Sequence, residues 1–173
     1  YFDYYQPDIV FLVFDPESDH LDNKLNKIYG DYFKPYFVNE LDRLVLKGLP
    51  VSKNYIYHLR SHTFLSKSFL YRTLAKVTIH ITTPGLIANA NISGDLIAAM
   101  RDFVVAKGAV FVIGFTSLSD DDRESEFCIE QKIHAVDLST NERFPEMGEH
   151  WTPEGHTIIA NRIFDFLKTL QLI

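Results

Sequence analysis

His150 is the residue whose type and position most readily suggest chemistry. It lies in the segment GEHWTPEGH, residues 148–156, where Thr152 is suited to cap a helix and Pro153 to occupy its first position. A histidine on a loop that a rigid helix holds in place is a candidate general base. The simpler alternative is a surface or capping residue, and His156, inside the helix start, is interpreted as structural.

A second set of short polar side chains follows an apolar stretch near the start of the chain. The run IVFLVF, residues 9–14, has no polar alternation, which predicts a strand in the middle of a parallel sheet with helices on each side. The segment DPESDH, residues 15–20, includes Ser18 and is predicted to be a polar loop at the carboxyl end of that strand, where open α/β sheets bind ligands. A turn followed by a helix cap explains the same residues equally well.

The second half of the chain alternates helices and strands. We expect Ser93 to cap a helix that Gly108 closes, followed by an apolar strand over residues 109–115. A helix over 123–132 and a shorter strand nearer an edge, over 133–138, come next.

This alternation predicts parallel strands joined by right-handed crossovers. The loops that carry Ser18, Thr116 and His150 then all lie at carboxyl ends of strands. We therefore expect them to converge at one edge of the sheet.

Residues 24–66 are rich in aromatic side chains and read as an insertion on the sheet scaffold. Within it, 37–38 and 44–46 are predicted to pair as a hairpin. The insertion could form a lid or substrate wall, or equally a packed surface excursion. A helix is predicted over 66–77. Residues 79–91 are interpreted as a connection, although 78–82 alternates and is compatible with a strand that ends before Pro84.

Composition limits the classes of function. The 173 residues suit a single domain over 1–173, and 17 basic against 23 acidic residues give a formal charge of −6. Scattered Lys and Arg without a basic block argue against a nucleic-acid partner. A lone Cys128 excludes an intrachain disulfide, and no histidine forms a tight His-x-x-x-His pair with a carboxylate beside it, so neither a metal nor a cofactor is expected.

Two segments carry a resemblance to a known family. QPDIVFLVFDPESDHLDN, residues 6–23, resembles the third motif block of the SGNH (GDSL-type) hydrolases, and HWTPEGH, residues 150–156, resembles their last block. The pattern is most similar to SGNH domains related to alginate-acetylation proteins, and 34–38 and 93–115 also fit it. The resemblance spans nearly the whole chain, with the two motifs in matching order and spacing.

The resemblance implies an α/β fold with three α/β/α layers and a flavodoxin-like parallel sheet. It also implies an ester hydrolase or carbohydrate O-acyl transferase that uses a Ser-His mechanism and a small-molecule or carbohydrate ester as substrate. His150 matches the catalytic histidine, and Ser18 stands where the family has its oxyanion asparagine. Glu149 and Glu146 are the nearest carboxylates, so that one of them replaces the usual histidine-orienting acid or the site works as a Ser-His pair. Family members of the alginate-acetylation type act outside the cytoplasm, which favours a periplasmic or secreted location.

The sequence departs from the family because residues 1–173 contain no Gly-Asp-Ser motif. The nucleophile is therefore expected upstream of Tyr1. A segment there, or a second chain, is expected to pair with the strand over 9–14, whose apolar edge would otherwise be an aggregation hazard. The alternative is a catalytically degenerate SGNH-like module that binds a ligand or a partner. A flavodoxin-like nucleotide-binding domain ranks last, since no glycine-rich phosphate loop follows a strand.

Overall fold

The computed structural model describes residues 2–28, 32–51, 53, 64–82, 92–117, 123–146 and 150–173. Contacts divide the chain into two compact units, one comprising Tyr1–Asp19 with Ile97–Ile173 and the other His20–Leu96. The described helices are α1 (Phe2–Tyr5), α2 (Pro16–Lys24), α3 (Phe69–Thr82), α4 (Ile92–Ala106), α5 (Arg123–Glu130) and α6 (Pro153–Thr169). The described strands are β1 (Ile9–Phe14), β2 (Lys27–Ile28), β3 (Tyr32–Phe33), β4 (Tyr36–Glu40), β5 (Arg43–Lys47), β6 (Val110–Phe115) and β7 (His134–Asp137).

The first unit is built on a parallel sheet with the strand order β1-β6-β7. Its buried core comes from the two longer strands, the C-terminal part of α4 and the helix α5. Phe14 and Phe115 meet edge-to-face with ring centroids 6.1 Å apart, and buried Cys128 packs in the same cluster. The protein is therefore a mixed α/β protein with three parallel strands, as the alternating pattern predicts.

β1 lies at one edge of the three-stranded sheet. Within the described residues it pairs only with β6, whereas the sequence predicts a middle strand with a further segment on its other side. Only Phe14 of its six residues is buried, whereas five of the six residues of β6 are buried. The prediction of a further segment pairing with residues 9–14 stays a prediction.

Two helix starts decide between readings of the sequence. Residues 16–20 are the first part of α2 and not a polar loop, as the alternative of a turn and a helix cap predicts: Asp15 accepts from the N–H groups of Glu17 (3.0 Å) and Ser18 (3.4 Å). Ser93 lies within α4 and does not cap it. Its buried hydroxyl accepts a hydrogen bond from the side-chain amide of Asn23 (3.2 Å) instead.

The second unit contains the predicted hairpin. β4 and β5 pair antiparallel through a two-residue turn, in which Leu41 and Asp42 have φ angles of 52° and 60°. Two positive φ values are those of a type I′ turn, which matches the twist of paired strands. The predicted helix over 66–77 is α3, which extends to Thr82, so the strand alternative over 78–82 was wrong. In the described part of the chain, no helix is both long enough and apolar enough to cross a membrane.

Candidate functional site

The N-terminus of α6 is fixed to the segment that follows β7. The Thr152 hydroxyl accepts from the N–H of Gly155 (3.1 Å), which confirms the predicted cap, and Pro153 opens the helix. The N–H of Thr152 donates to the carbonyl of Glu142 (3.0 Å), and the N–H of Phe144 donates to the carbonyl of His150 (2.8 Å). Residues 142–144 and 150–152 therefore form a short antiparallel ladder, with a bridge between Arg143 and Trp151.

Gly155 permits this close approach. A Cβ atom at this position would lie 2.3 Å from the backbone oxygen of Glu142 and 3.2 Å from the Cβ of Trp151. The first distance is far inside van der Waals contact, and the obstructing atom belongs to the backbone, which cannot rotate away. The sequence of α6 thus fixes how near the helix lies to the ladder that carries His150.

A cavity of ≈ 910 Å³ opens where the strands of the parallel sheet end. Residues that follow each of the three strands line it, together with two residues from one face of α6. Those following β1 are Asp15 and Glu17; those following β6 are Thr116 and Ser117; those following β7 are residues 139–145; and those on α6 are Ile158 and Arg162. This is the edge at which open α/β sheets place their ligands.

The cavity wall carries both signs of charge. Arg143 donates to the carbonyl oxygens of Thr116 and Thr140, and Arg162 donates to the carbonyl of Ser139. Both guanidinium groups are thereby held against backbone oxygens at the ends of β6 and β7. The carboxylates of Asp15, Glu17 and Glu142 stand around the same space, so the wall offers donors and acceptors together.

Thr116 provides the one buried side-chain polar atom, within the described residues, that lacks a hydrogen-bond partner. Its residue is 8% exposed, and no protein atom pairs with its hydroxyl oxygen. Buried hydroxyls are nearly always hydrogen-bonded, because desolvation without a partner costs about 1–3 kcal/mol. Since Thr116 lines the cavity, a bound ligand or water is the partner that this hydroxyl can reach.

The residues predicted from the sequence lie around this cavity without all lining it. His150 is exposed, and the ladder joins its backbone to Phe144 of the cavity wall. Ser18 is exposed on the first turn of α2, next to the lining residue Glu17. Glu149 lies outside the described residues. The structure brings the segments after β1, β6 and β7 to one edge, while the side chains that meet there are mainly those of Asp15, Glu17 and Thr116 and of residues 139–145.

Sequence reasoning missed Arg143, Arg162 and the polar run 139–141. The run Ser139-Thr140-Asn141 follows the third strand directly, so the rule that singled out 15–20 would have found it as well. Arg162 is four residues after Ile158, and this helical spacing places both on one face of α6. Arg143 has no comparable signal, because the ladder that positions it joins residues distant in sequence.

Metal binding finds no support in the described residues, which contain no group of three or more His, Cys, Asp or Glu side chains able to hold an ion. Comparison with known proteins found no family model, no curated protein and no solved structure that matches this chain. Function must therefore be argued from the motifs and from the geometry of the cavity.

Proposed function

We propose that this protein is an SGNH-type ester hydrolase or carbohydrate O-acyl transferase, with His150 as general base. The corresponding fold is a flavodoxin-like three-layer α/β/α domain, of which β1, β6 and β7 with their helices form part. Support comes from the two motif segments: 6–23 contains Asp15 and Glu17 of the cavity wall, and 150–156 begins with His150, whose carbonyl accepts from the N–H of Phe144 in that wall.

One observation carries the proposal: the segments after β1, β6 and β7 converge on a single polar cavity, and the His150 backbone is hydrogen-bonded to its wall. A base needs to reach the proton of a nucleophile bound at such a site, directly or through one water. The ladder between 142–144 and 150–152 holds the His150 segment at the rim of the cavity, and the Thr152 cap anchors it to α6.

The roles of the residues follow from acyl-transfer chemistry. A serine of a Gly-Asp-Ser block, absent from residues 1–173, attacks the ester carbonyl, and His150 takes its proton and returns it to the leaving alcohol. Glu149 orients the imidazole. Ser18, with a hydroxyl in place of an asparagine amide, donates to the oxyanion, a contact worth roughly 3 kcal/mol.

The cavity wall favours a hydroxyl-rich substrate. The wall contains serine and threonine hydroxyls, the Asn141 amide, two arginines and three carboxylates, so it offers both donors and acceptors to the hydroxyl groups of a sugar. Phe144 adds an apolar surface on which a sugar face can lie. A carbohydrate ester therefore suits this wall better than a purely apolar ester.

A second candidate function is ligand binding without turnover. It is favoured by the exposed imidazole of His150, which does not line the cavity, and it is compatible with the buried Thr116 hydroxyl, which a bound ligand or a water can satisfy. In this case the domain would bind the same hydroxyl-rich molecules and release them unchanged.

Hydrolysis of p-nitrophenyl acetate by the full-length natural polypeptide separates the two candidates. Under the enzymatic proposal, His150→Ala lowers kcat/KM by about 10²–10⁴-fold with the fold intact. His134→Ala is the matched control. His134 is also exposed, but it is the first residue of β7 and so lies at the amino-terminal end of the parallel strands, away from the cavity. Equal activity in both variants would remove His150 from the mechanism. Binding of an O-acetylated oligosaccharide without acetate release would establish the second candidate.

A further inference from the structure

Charge is distributed very unevenly along this acidic chain. Residues 43–94 contain seven Lys and Arg and no Asp or Glu, whereas the rest of the chain carries ten Lys and Arg against all 23 acidic residues. The formal charges are thus +7 for this segment and −13 for the remainder. The basic residues are spaced singly, so the asymmetry comes from the absence of carboxylates over 52 consecutive positions. Such asymmetry points to a surface that meets a polyanion.

The same segment exposes an apolar strip. Its side chains lie on α3 and on the 3-10 helix, Leu65–Lys67, that precedes it. They are all exposed, and Leu70, in the middle of the strip, is 66% exposed. The strip consists of Phe64, Leu65, Phe69, Leu70, Leu74 and Val77. Isolated exposed apolar residues are ordinary, but a contiguous row of them marks a contact surface.

Helical geometry sets the strip beside the cations. At about 100° per residue, Leu70, Leu74 and Val77 fall within an arc of roughly 60°. Arg72 and Lys76 fall on a neighbouring arc, and Phe69 lies between the two. Both cations are exposed, as is Lys67 in the preceding turn, whereas Tyr71 and Ala75 on the remaining side are partly buried. The exposed surface of α3 is therefore apolar along one side and basic along the next.

We propose that α3 binds the surface of an anionic lipid bilayer, with the apolar strip inserted at the level of the headgroups and Arg72, Lys76 and Lys67 against lipid phosphates. A helix with exposed leucines and phenylalanines beside Lys and Arg is the usual form of an interfacial membrane helix. The charge fits as well, since no carboxylate between 43 and 94 opposes the approach to anionic headgroups. The inference concerns the second unit alone and is independent of the proposed ester chemistry.

A lipid surface fits these observations better than nucleic acid, the other common polyanion. Nucleic acid would use the cations but leave six exposed apolar side chains in water, since α3 offers it no row of ring faces. A bilayer uses both arcs of the helix at once. It also tolerates single, spaced cations, because headgroup phosphates are distributed over a plane rather than along a strand.

Co-sedimentation of the full chain with sucrose-loaded vesicles tests the proposal. We expect binding to vesicles of equimolar phosphatidylglycerol and phosphatidylcholine, and little to phosphatidylcholine alone. Arg72→Gln with Lys76→Gln lowers partitioning to the anionic vesicles roughly thirtyfold, at about fivefold per cation. Leu70→Gln with Leu74→Gln lowers it about tenfold or more.

Ile129→Gln is the matched control, since Ile129 is an apolar helix residue in the other unit with 77% exposure, and it leaves partitioning unchanged. Circular dichroism verifies that each variant is folded. Equal binding to neutral vesicles, or insensitivity to the leucine pair, would overturn the proposal. Dimerisation that the leucine pair abolishes, without vesicle binding, would assign the strip to a second copy. DNA binding lost with Arg72 and Lys76 alone would assign the surface to nucleic acid.

Discussion

β1 and β6 are neighbouring strands with nearly the same composition and different surroundings. IVFLVF and VFVIGF are both six residues long and apolar throughout, and they pair in register over their whole length. β6 lies between β1 and β7 and is buried from Phe111 onward, whereas β1 forms an edge and leaves Val13 45% exposed.

An apolar run therefore specifies a strand but not its place in the sheet. Unbroken hydrophobicity is typical of strands covered on both faces, and both runs meet that pattern. β6 is buried because it has a strand on each side and because helix residues such as Ile97, Val104 and Cys128 pack in the same core, and both depend on residues far away in sequence. Changes at matched positions in or directly after the two strands should therefore have unequal effects.

The largest expected effect comes from truncating the central strand. Ile113→Ala should lower the free energy of unfolding by about 4 kcal/mol, because Ile113 is 0% exposed and its removal leaves a cavity in the core. Its register partner in β1 is Leu12, which is only partly buried, and Leu12→Ala should cost about 2 kcal/mol. Urea denaturation of the two variants measures both values. Equal losses would mean that another element covers β1 as fully as β6.

The next two substitutions enlarge a side chain in β6 and shorten one in β1. A Cβ at Gly114 would lie 2.4 Å from the Leu138 side chain and 2.9 Å from Phe11, so Gly114→Ala should cost about 1–3 kcal/mol. Val13→Ala, at its register partner, should cost less than about 1 kcal/mol because Val13 is already exposed. Thermal unfolding gives the ranking. A larger loss at Val13 than at Gly114 would contradict the edge position of β1.

The two helix caps should have similar effects on stability, because each depends on a local hydrogen bond and not on where the preceding strand lies in the sheet. Asp15 caps the helix that follows β1, and Thr152 caps the helix that follows β7. Asp15→Ala and Thr152→Ala should each lower stability by about 1 kcal/mol, since each removes one acceptor from a helix start. Denaturant titration of both variants checks this. A cap effect confined to Thr152 would show that packing of the neighbouring elements, and not the local hydrogen bond, dominates at α2.

The smallest effect is expected at Thr116, directly after β6. Its hydroxyl is buried without a partner, so Thr116→Val should leave stability unchanged or raise it by about 1 kcal/mol. Asp15 is the corresponding residue after β1, and its replacement by Ala should lower stability because its side chain caps α2. Differential scanning calorimetry of the ligand-free protein compares the two. Clear destabilisation by Thr116→Val would indicate that a protein group or an ordered water is hydrogen-bonded to that hydroxyl.

Local signals in the sequence predicted most elements well. The α6 cap, the strands β6 and β7 and the β4–β5 hairpin each depend on residues close in sequence, such as Thr152 with Pro153. The apolar face of α6 also follows from helical spacing alone, and Ile159 is buried as that spacing predicts. The same local reasoning failed at Ser93, whose hydroxyl is used by Asn23, 70 residues away.

The candidate site was predictable in its location and less so in its composition. The carboxyl-end rule led to 15–20, to Thr116 and to the His150 segment, all of which lie at or beside the edge that holds the cavity. Arg143 was not predicted, because its position depends on the ladder between 142–144 and 150–152. That ladder forms only because Gly155 lets α6 approach it closely. Such close backbone contacts leave no periodic signal in a sequence.

The hydrogen bond from Phe144 to the His150 carbonyl has a practical use. A molecule that enters the cavity and displaces Phe144 must stretch this bond or shift the His150 backbone with it. The amide NMR resonance of Phe144 should therefore report occupancy of the cavity in a titration with candidate sugars, before any catalytic assay has been established.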